Sequence, residues 1–116
     1  MSQNCFSAMI ALNKKNEPAL VSVEVNIGWD RPLQGFFMTI YRTHTDHLVY
    51  SNLDDKALKK QMGFSSTVEH FEEVLNGYGI TLDDVIKAQL YKDKNENIGN
   101  ATRYWRNESP ASIVRE

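Results

Sequence analysis

Between Ala19 and Thr43 the chain alternates apolar and polar positions with a period of two. Val21, Val23, Val25, Ile27 and Trp29 interleave with Ser22, Glu24, Asn26 and Gly28, the pattern of a strand with one buried face. After Asp30-Arg31-Pro32-Leu33-Gln34-Gly35 the run Phe36-Phe37-Met38-Thr39-Ile40-Tyr41 is again rich in β-formers. The two runs predict a hairpin, and a lone hairpin is only marginally stable, so the rest of the chain must supply partners. With a loop at 30–35, Trp29 faces Phe36, Ile27 faces Met38 and Val25 faces Ile40, giving one apolar face. The other face then carries Glu24 and Asn26 with Phe37, Thr39 and Tyr41. A slip of one residue would exchange the two faces.

Upstream, Phe6, Ala8, Ile10 and Leu12 share one side of a first strand over Cys5–Leu12, and Asn13 to Pro18 reads as a polar turn. His44 to His47 is a short connection into a fourth strand at Leu48-Val49-Tyr50. Asn52-Leu53-Asp54-Asp55 followed by Lys56, Lys59, Lys60 and Gly63 predicts one or two helical turns, acid first and base last. Ser66-Thr67-Val68-Glu69 has the form of a capping box, and Val68, Phe71, Leu75 and Tyr78 continue it as an apolar helical stripe ending at Gly77 and Gly79. That helix is expected to cover the valine face. Ile80 to Ile86 carries a second cap-like signal, expected to give a single turn. Lys87 to Lys92 alternates as a strand would, Asp93 to Asn100 reads as a turn, and Ala101 to Trp105 pairs back.

The expected fold is therefore α+β. It has an antiparallel sheet of five or six strands, an N-terminal meander plus a C-terminal hairpin, with one main helix packed on one face. Residues 1–106 form the single domain, and 107–116, with little to bury, form a flexible C-terminal tail. A chain of 116 residues suits one domain with a core that needs neither disulfide nor metal.

Thirteen Lys plus Arg against fifteen Asp plus Glu leave a net charge of −2, which speaks against general nucleic-acid binding. Cys5 is the single cysteine, so no internal disulfide can form and a reducing compartment is the simpler assumption. The N-terminus lacks the regions of a secretory signal, and no apolar run approaches the roughly 20 residues of a membrane helix. A cytoplasmic protein without membrane contact is expected.

Two stretches carry resemblances. Leu75 to Lys87, with Gly77-Tyr78-Gly79-Ile80-Thr81-Leu82-Asp83-Asp84 at its centre, resembles a helix-to-strand junction of the reactive-imine deaminase family. That family places its substrate-binding arginine on a long segment beyond the junction, where this chain turns and ends. The resemblance therefore implies no site residue here, and shared junction geometry accounts for it. Pro32-Leu33-Gln34-Gly35-Phe36-Phe37-Met38, Tyr50-Ser51-Asn52-Leu53-Asp54-Asp55 and Asn97-Ile98-Gly99-Asn100 resemble motifs of small uncharacterised proteins of proteobacterial plasmids and integrated mobile elements. This implies an accessory role near mobile DNA and names no activity.

The candidate chemistry is sparse. His44 and His47 bracket Asp46 with donors that suit zinc, but no second ligand pair accompanies them, so no metal and no cofactor are expected. Cys5 has no base beside it in sequence, and no phosphate-binding glycine loop occurs. Asp54-Asp55, Glu72-Glu73 and Asp83-Asp84 are paired acids, two of them where helix dipoles account for them. No catalytic residue is assigned. Arg103-Tyr104-Trp105-Arg106 interleaves aromatics with guanidiniums as single-stranded nucleic-acid binders do, yet alternation splits the four between two faces. Between Gln61 and Ile86 there is no Lys or Arg, so Glu69, Glu72 and Glu73 form an acidic ridge on the helix.

The functional expectation is a small non-enzymatic protein that associates with a protein partner or a second copy of itself. Its contacts would be Phe37, Thr39 and Tyr41 first, and Glu69, Glu72 and Glu73 second. One alternative is a nucleic-acid-binding accessory protein using Arg42, Lys56, Lys59, Lys60, Arg103 and Trp105. Another is a small enzyme with a site near His44 and His47.

Overall fold

A computed structural model describes residues 1–14 and 17–116, with residues 12–14, 17 and 18 described by their backbone alone. The strands are β1 (Ser2–Lys14), β2 (Glu17–Asp30), β3 (Gly35–Arg42), β4 (Leu48–Ser51), β5 (Ala101–Arg106) and β6 (Ser112–Arg115). Two 3-10 turns, Asn52–Asp54 and Lys56–Gln61, lead to helices α1 (Glu69–Gly77) and α2 (Asp84–Asn95). Lys15 and Asn16, the centre of the polar turn expected between the first strands, lie outside the described residues.

The domain is α+β with a six-stranded sheet in the order β4-β3-β2-β1-β5-β6. The β2–β3 register is the expected one, with Trp29 opposite Phe36, Ile27 opposite Met38 and Val25 opposite Ile40. The sheet is mixed rather than antiparallel, because β5 runs parallel to β1, pairing Asn4 with Arg103 and Phe6 with Trp105. The two helices form the long crossover that a parallel neighbour requires. β5 then turns back into β6, so the C-terminal hairpin exists but uses different residues from those expected.

The second strand of the expected hairpin, Lys87 to Lys92, is instead the middle of α2. Asp83 caps that helix by accepting from the Val85 N–H at 2.9 Å, Asp84 opens it, and Lys92 and Lys94 close it. Its buried residues, Ile86, Leu90 and Asp93, recur at spacings of four and three. The short alternation around Ala88 and Leu90 fits that helical stripe as well, and a buried aspartate disguises its third member. The resemblance to a helix-to-strand junction fails at the same place, since Leu75–Lys87 joins a helix to a helix.

Helix α1 begins without the expected capping box. Val68 stands at its N-cap with no side-chain cap bond, and Ser66 is exposed. Ser65 organises the entry instead. Its hydroxyl donates to Thr67 O at 2.7 Å and accepts from Thr67 N at 3.2 Å, while its backbone exchanges two bonds with Phe36, at 2.7 and 3.0 Å. Ser65→Ala should therefore cost about 1 kcal/mol while Ser66→Ala costs almost nothing. Urea melts of both variants check this, and the reverse order would restore the capping box.

Both helices pack on the face bearing Val23, Val25, Ile27, Trp29, Phe36, Met38 and Ile40, joined there by Phe71, Leu75, Ile86 and Leu90. Phe6 and Ile10 bring β1 into the same core, and Trp105 and Ala111 bring in the C-terminal segment. Residues 107–116, expected to fray, thus contain β6, and Ala111 N donates to Asp83 Oδ2 at 3.0 Å.

Candidate functional site: the open face of the sheet

With both helices on one side, the alternating residues of the strands point to a face that carries no helix. Cys5, Ser7, Met9 and Ala11 of β1 share it with Leu20, Ser22, Glu24 and Asn26 of β2 and with Thr39 and Tyr41 of β3, as the pairings require. Met9 is 55% exposed, Leu20 73% and Tyr41 38%, and Leu48 stands opposite Tyr41 across β4. Thr39 is half-buried.

Phe37 belongs to this face by parity but is 7% exposed, so it is a packing residue and not a contact offered to a partner. It stands opposite Gly28 on β2. Its ring lies 3.0 Å from where a Gly28 Cβ would be, so it rests on bare backbone and closes in among its neighbours.

Toward β5 and β6 the open face deepens into a groove of about 540 Å³ lined by Cys5, Ser7, Glu24, Tyr104, Val114 and Arg115. The Arg115 guanidinium lies 4.1 Å from the centre of the Tyr104 ring, a cation–π stack forming one wall. Burial, and after it the charge of Glu24, push the Cys5 thiol above its ordinary pKa. At neutral pH it is a protonated, weakly reactive thiol.

The acidic ridge is largely consumed within the fold. Lys87 of α2, just beyond the stretch free of basic residues, reaches Glu72 at 3.1 Å and Glu69 at 3.4 Å. Tyr91 donates to Glu69 and accepts from the Val68 N–H at 3.2 Å. These bonds hold the Glu69 carboxyl below its ordinary pKa, the Tyr91 bond contributing most. Glu73 alone of the three faces solvent without an ion-pair partner among the described residues.

The nucleic-acid set is not brought together. Trp105 is buried and donates to Asn4 Oδ1 at 2.9 Å. Arg103 points the same way and grips the fully buried Asp93 with two bonds, at 2.8 and 3.2 Å. Lys56, Lys59 and Lys60 stand exposed on the second 3-10 turn, and half-buried Arg42 ends β3. His44 and His47 are exposed in the β3–β4 turn, and among the described residues no three His, Cys, Asp or Glu side chains gather as a metal would need.

One cluster escaped the sequence. Asp55 Oδ2 accepts from Tyr50 at 2.6 Å and from His70 Nε2 at 2.8 Å, tying β4 and the second 3-10 turn to α1. Burial works to raise the Asp55 pKa, but the bonds from Tyr50, His70 and the Ala57 N–H outweigh it and hold the carboxyl below its usual value. Tyr50 is pushed well above the ordinary tyrosine range, first by burial and then by Asp55. Among the described residues His70 bonds no hydroxyl or thiol, so the cluster joins elements and activates no nucleophile. The cap-forming character of Asp55 was readable, whereas its meeting with His70 depends on the tertiary fold.

Among the described residues no helix is long and apolar enough to cross a membrane. Comparison with protein-family models, curated proteins and solved structures finds no match.

Proposed function

We propose that the protein works by association, offering the open sheet face to another polypeptide, and is not an enzyme. The observation that carries this is the one-sided placement of both helices, which leaves Met9, Leu20, Tyr41 and Leu48 exposed on or beside one continuous face. Apolar side chains gathered on a face rimmed by polar ones are characteristic of contact surfaces. The described clusters favour this reading over catalysis, because Asp55, Asp93 and Glu69 are all committed to structural partners. A cytoplasmic accessory role on a plasmid or integrated element completes the proposal and rests on the motif resemblance alone.

Tyr41→Glu tests it. Tyr41 is exposed, so the variant should keep the circular dichroism and melting point of the parent within a few degrees, because surface changes seldom exceed about 0.5 kcal/mol. A charge at the centre of a buried contact is costly, so capture of the partner from host extract should be lost. A folded variant that still captures everything the parent captures would rule out this face.

A further inference from the structure

Among the described residues several stretches of sheet edge have no strand beside them, and all but one are short or begin with charge and proline. β4 is four residues long and sits beside a register break at Ile40/Tyr41. β6 is equally short, sits beside a break at Tyr104/Trp105, and follows Pro110. The start of β2, ahead of its pairing with β3, carries Glu17 and Pro18. Short length, bulges, charge and proline are the usual devices that keep an edge from pairing with another chain.

The remaining stretch is the longest, has neither bulge nor proline, and carries its one charge, Lys14, at its far end. β5 pairs with β1 only as far as Phe6, so Ser7–Lys14 presents its backbone on that side without a neighbour. Ser7-Ala8-Met9-Ile10-Ala11 contains no charge, proline or glycine, and the β1–β2 register runs through it without a break. Unpaired N–H and C=O groups on such an edge specify one kind of partner, an extended strand.

We propose that the partner is a second copy of the chain, β1 against β1, antiparallel about a two-fold axis perpendicular to the sheet. An antiparallel pair of identical stretches is self-complementary, each copy supplying the donors for the other's acceptors, as a two-fold interface demands. Pairing over Ala8–Lys14 places the axis at Ala11. The single charge of the stretch, Lys14, then falls opposite Ala8 of the other copy, so no like charges oppose. This axis sets both helix layers on one side and merges two six-stranded sheets into one of twelve, with a single open face. The inference extends the association reading but stands on a different surface.

Ala11 is exposed, which makes it the test position. Sedimentation velocity should show the parent as a dimer, and Ala11→Lys and Ala11→Glu each as folded monomers, since like charges directly opposite on paired strands repel. Mixing the two variants in equal amounts should restore the dimer. A parent that is monomeric at its highest soluble concentration, or an Ala11→Lys variant that stays dimeric, overturns the proposal. Should either variant fail to fold, amide exchange of the parent decides. Protection that rises with concentration at those Ser7–Ala11 amides that point away from β2 supports pairing, and rapid exchange of the same amides at every concentration overturns it. Tyr41→Glu should leave the dimer intact, which keeps failure of the face separate from failure of the edge. Loss of the dimer in that variant would place the self-contact on the face and overturn the edge.

Discussion

Replacing Arg103 with methionine should destabilise the domain by about 3–5 kcal/mol, the cost of stranding one member of a buried ion pair. Asp93 has no exposed surface, and its two oxygens accept from Arg103 at 2.8 and 3.2 Å and from Gln89 at 2.9 Å. Methionine keeps much of the arginine stem's volume and removes every donor, leaving the carboxylate with Gln89 alone. Urea denaturation with an unchanged slope would isolate the effect as one of stability. The double variant Arg103→Met with Asp93→Leu should recover most of the loss, because replacing both partners removes the stranded charge along with the pair. A single variant that melts with the parent would show that the ion pair is absent in solution.

That pair also shows what the sequence could convey. Period-2 alternation puts Arg103 and Trp105 on one face, and the structure agrees. Which face it is depends on Asp93, which lies ten residues away along the chain and was expected in a turn. Asp93 became visible as a partner only once α2 was a helix. In a window of six residues, apolar positions two apart and apolar positions four apart overlap, and the buried acid broke the stripe that would have decided between them.

The hairpin was legible because its two faces differ sharply in polarity, so a slipped register would bury Glu24 and expose Val25. The parallel docking of β5 on β1 was not, because the partners lie about a hundred residues apart and nothing local encodes which edge a late strand finds. Of the expected contact residues, Tyr41 stands exposed and Thr39 half-buried, whereas Glu69 and Glu72 are spoken for by Lys87, a residue just past the acidic stretch. Phe37 was readable in principle. The expected register already set it opposite Gly28, and an aromatic ring over a strand glycine tends to settle on the bare backbone.

Gly28 carries the last prediction. A Cβ at this position would sit 1.9 Å from the carbonyl oxygen of Ser2 and 3.0 Å from the Phe37 ring. The ring could swing aside, but the carbonyl is backbone and cannot move alone. Ser2 is fully buried and its hydroxyl accepts from the Trp29 N–H at 3.0 Å, while the Met1 ammonium donates to Gly99 O at 2.5 Å. Gly28→Ala must therefore lift the first residues of β1 off the sheet or distort β2, at a cost of about 3 kcal/mol, the upper end for overpacking. Trp29 gives the readout. It is buried, and its indole N–H donates to Asn97 at 3.1 Å, so displacement of Ser2 should shift its fluorescence to the red as water reaches the ring. Gly77→Ala is the matched control, since nothing lies within 4 Å of a Cβ there, and alanine at the end of α1 should be neutral or slightly stabilising. If Gly28→Ala melts and fluoresces like the parent, the close approach of Ser2 to β2 does not persist in solution.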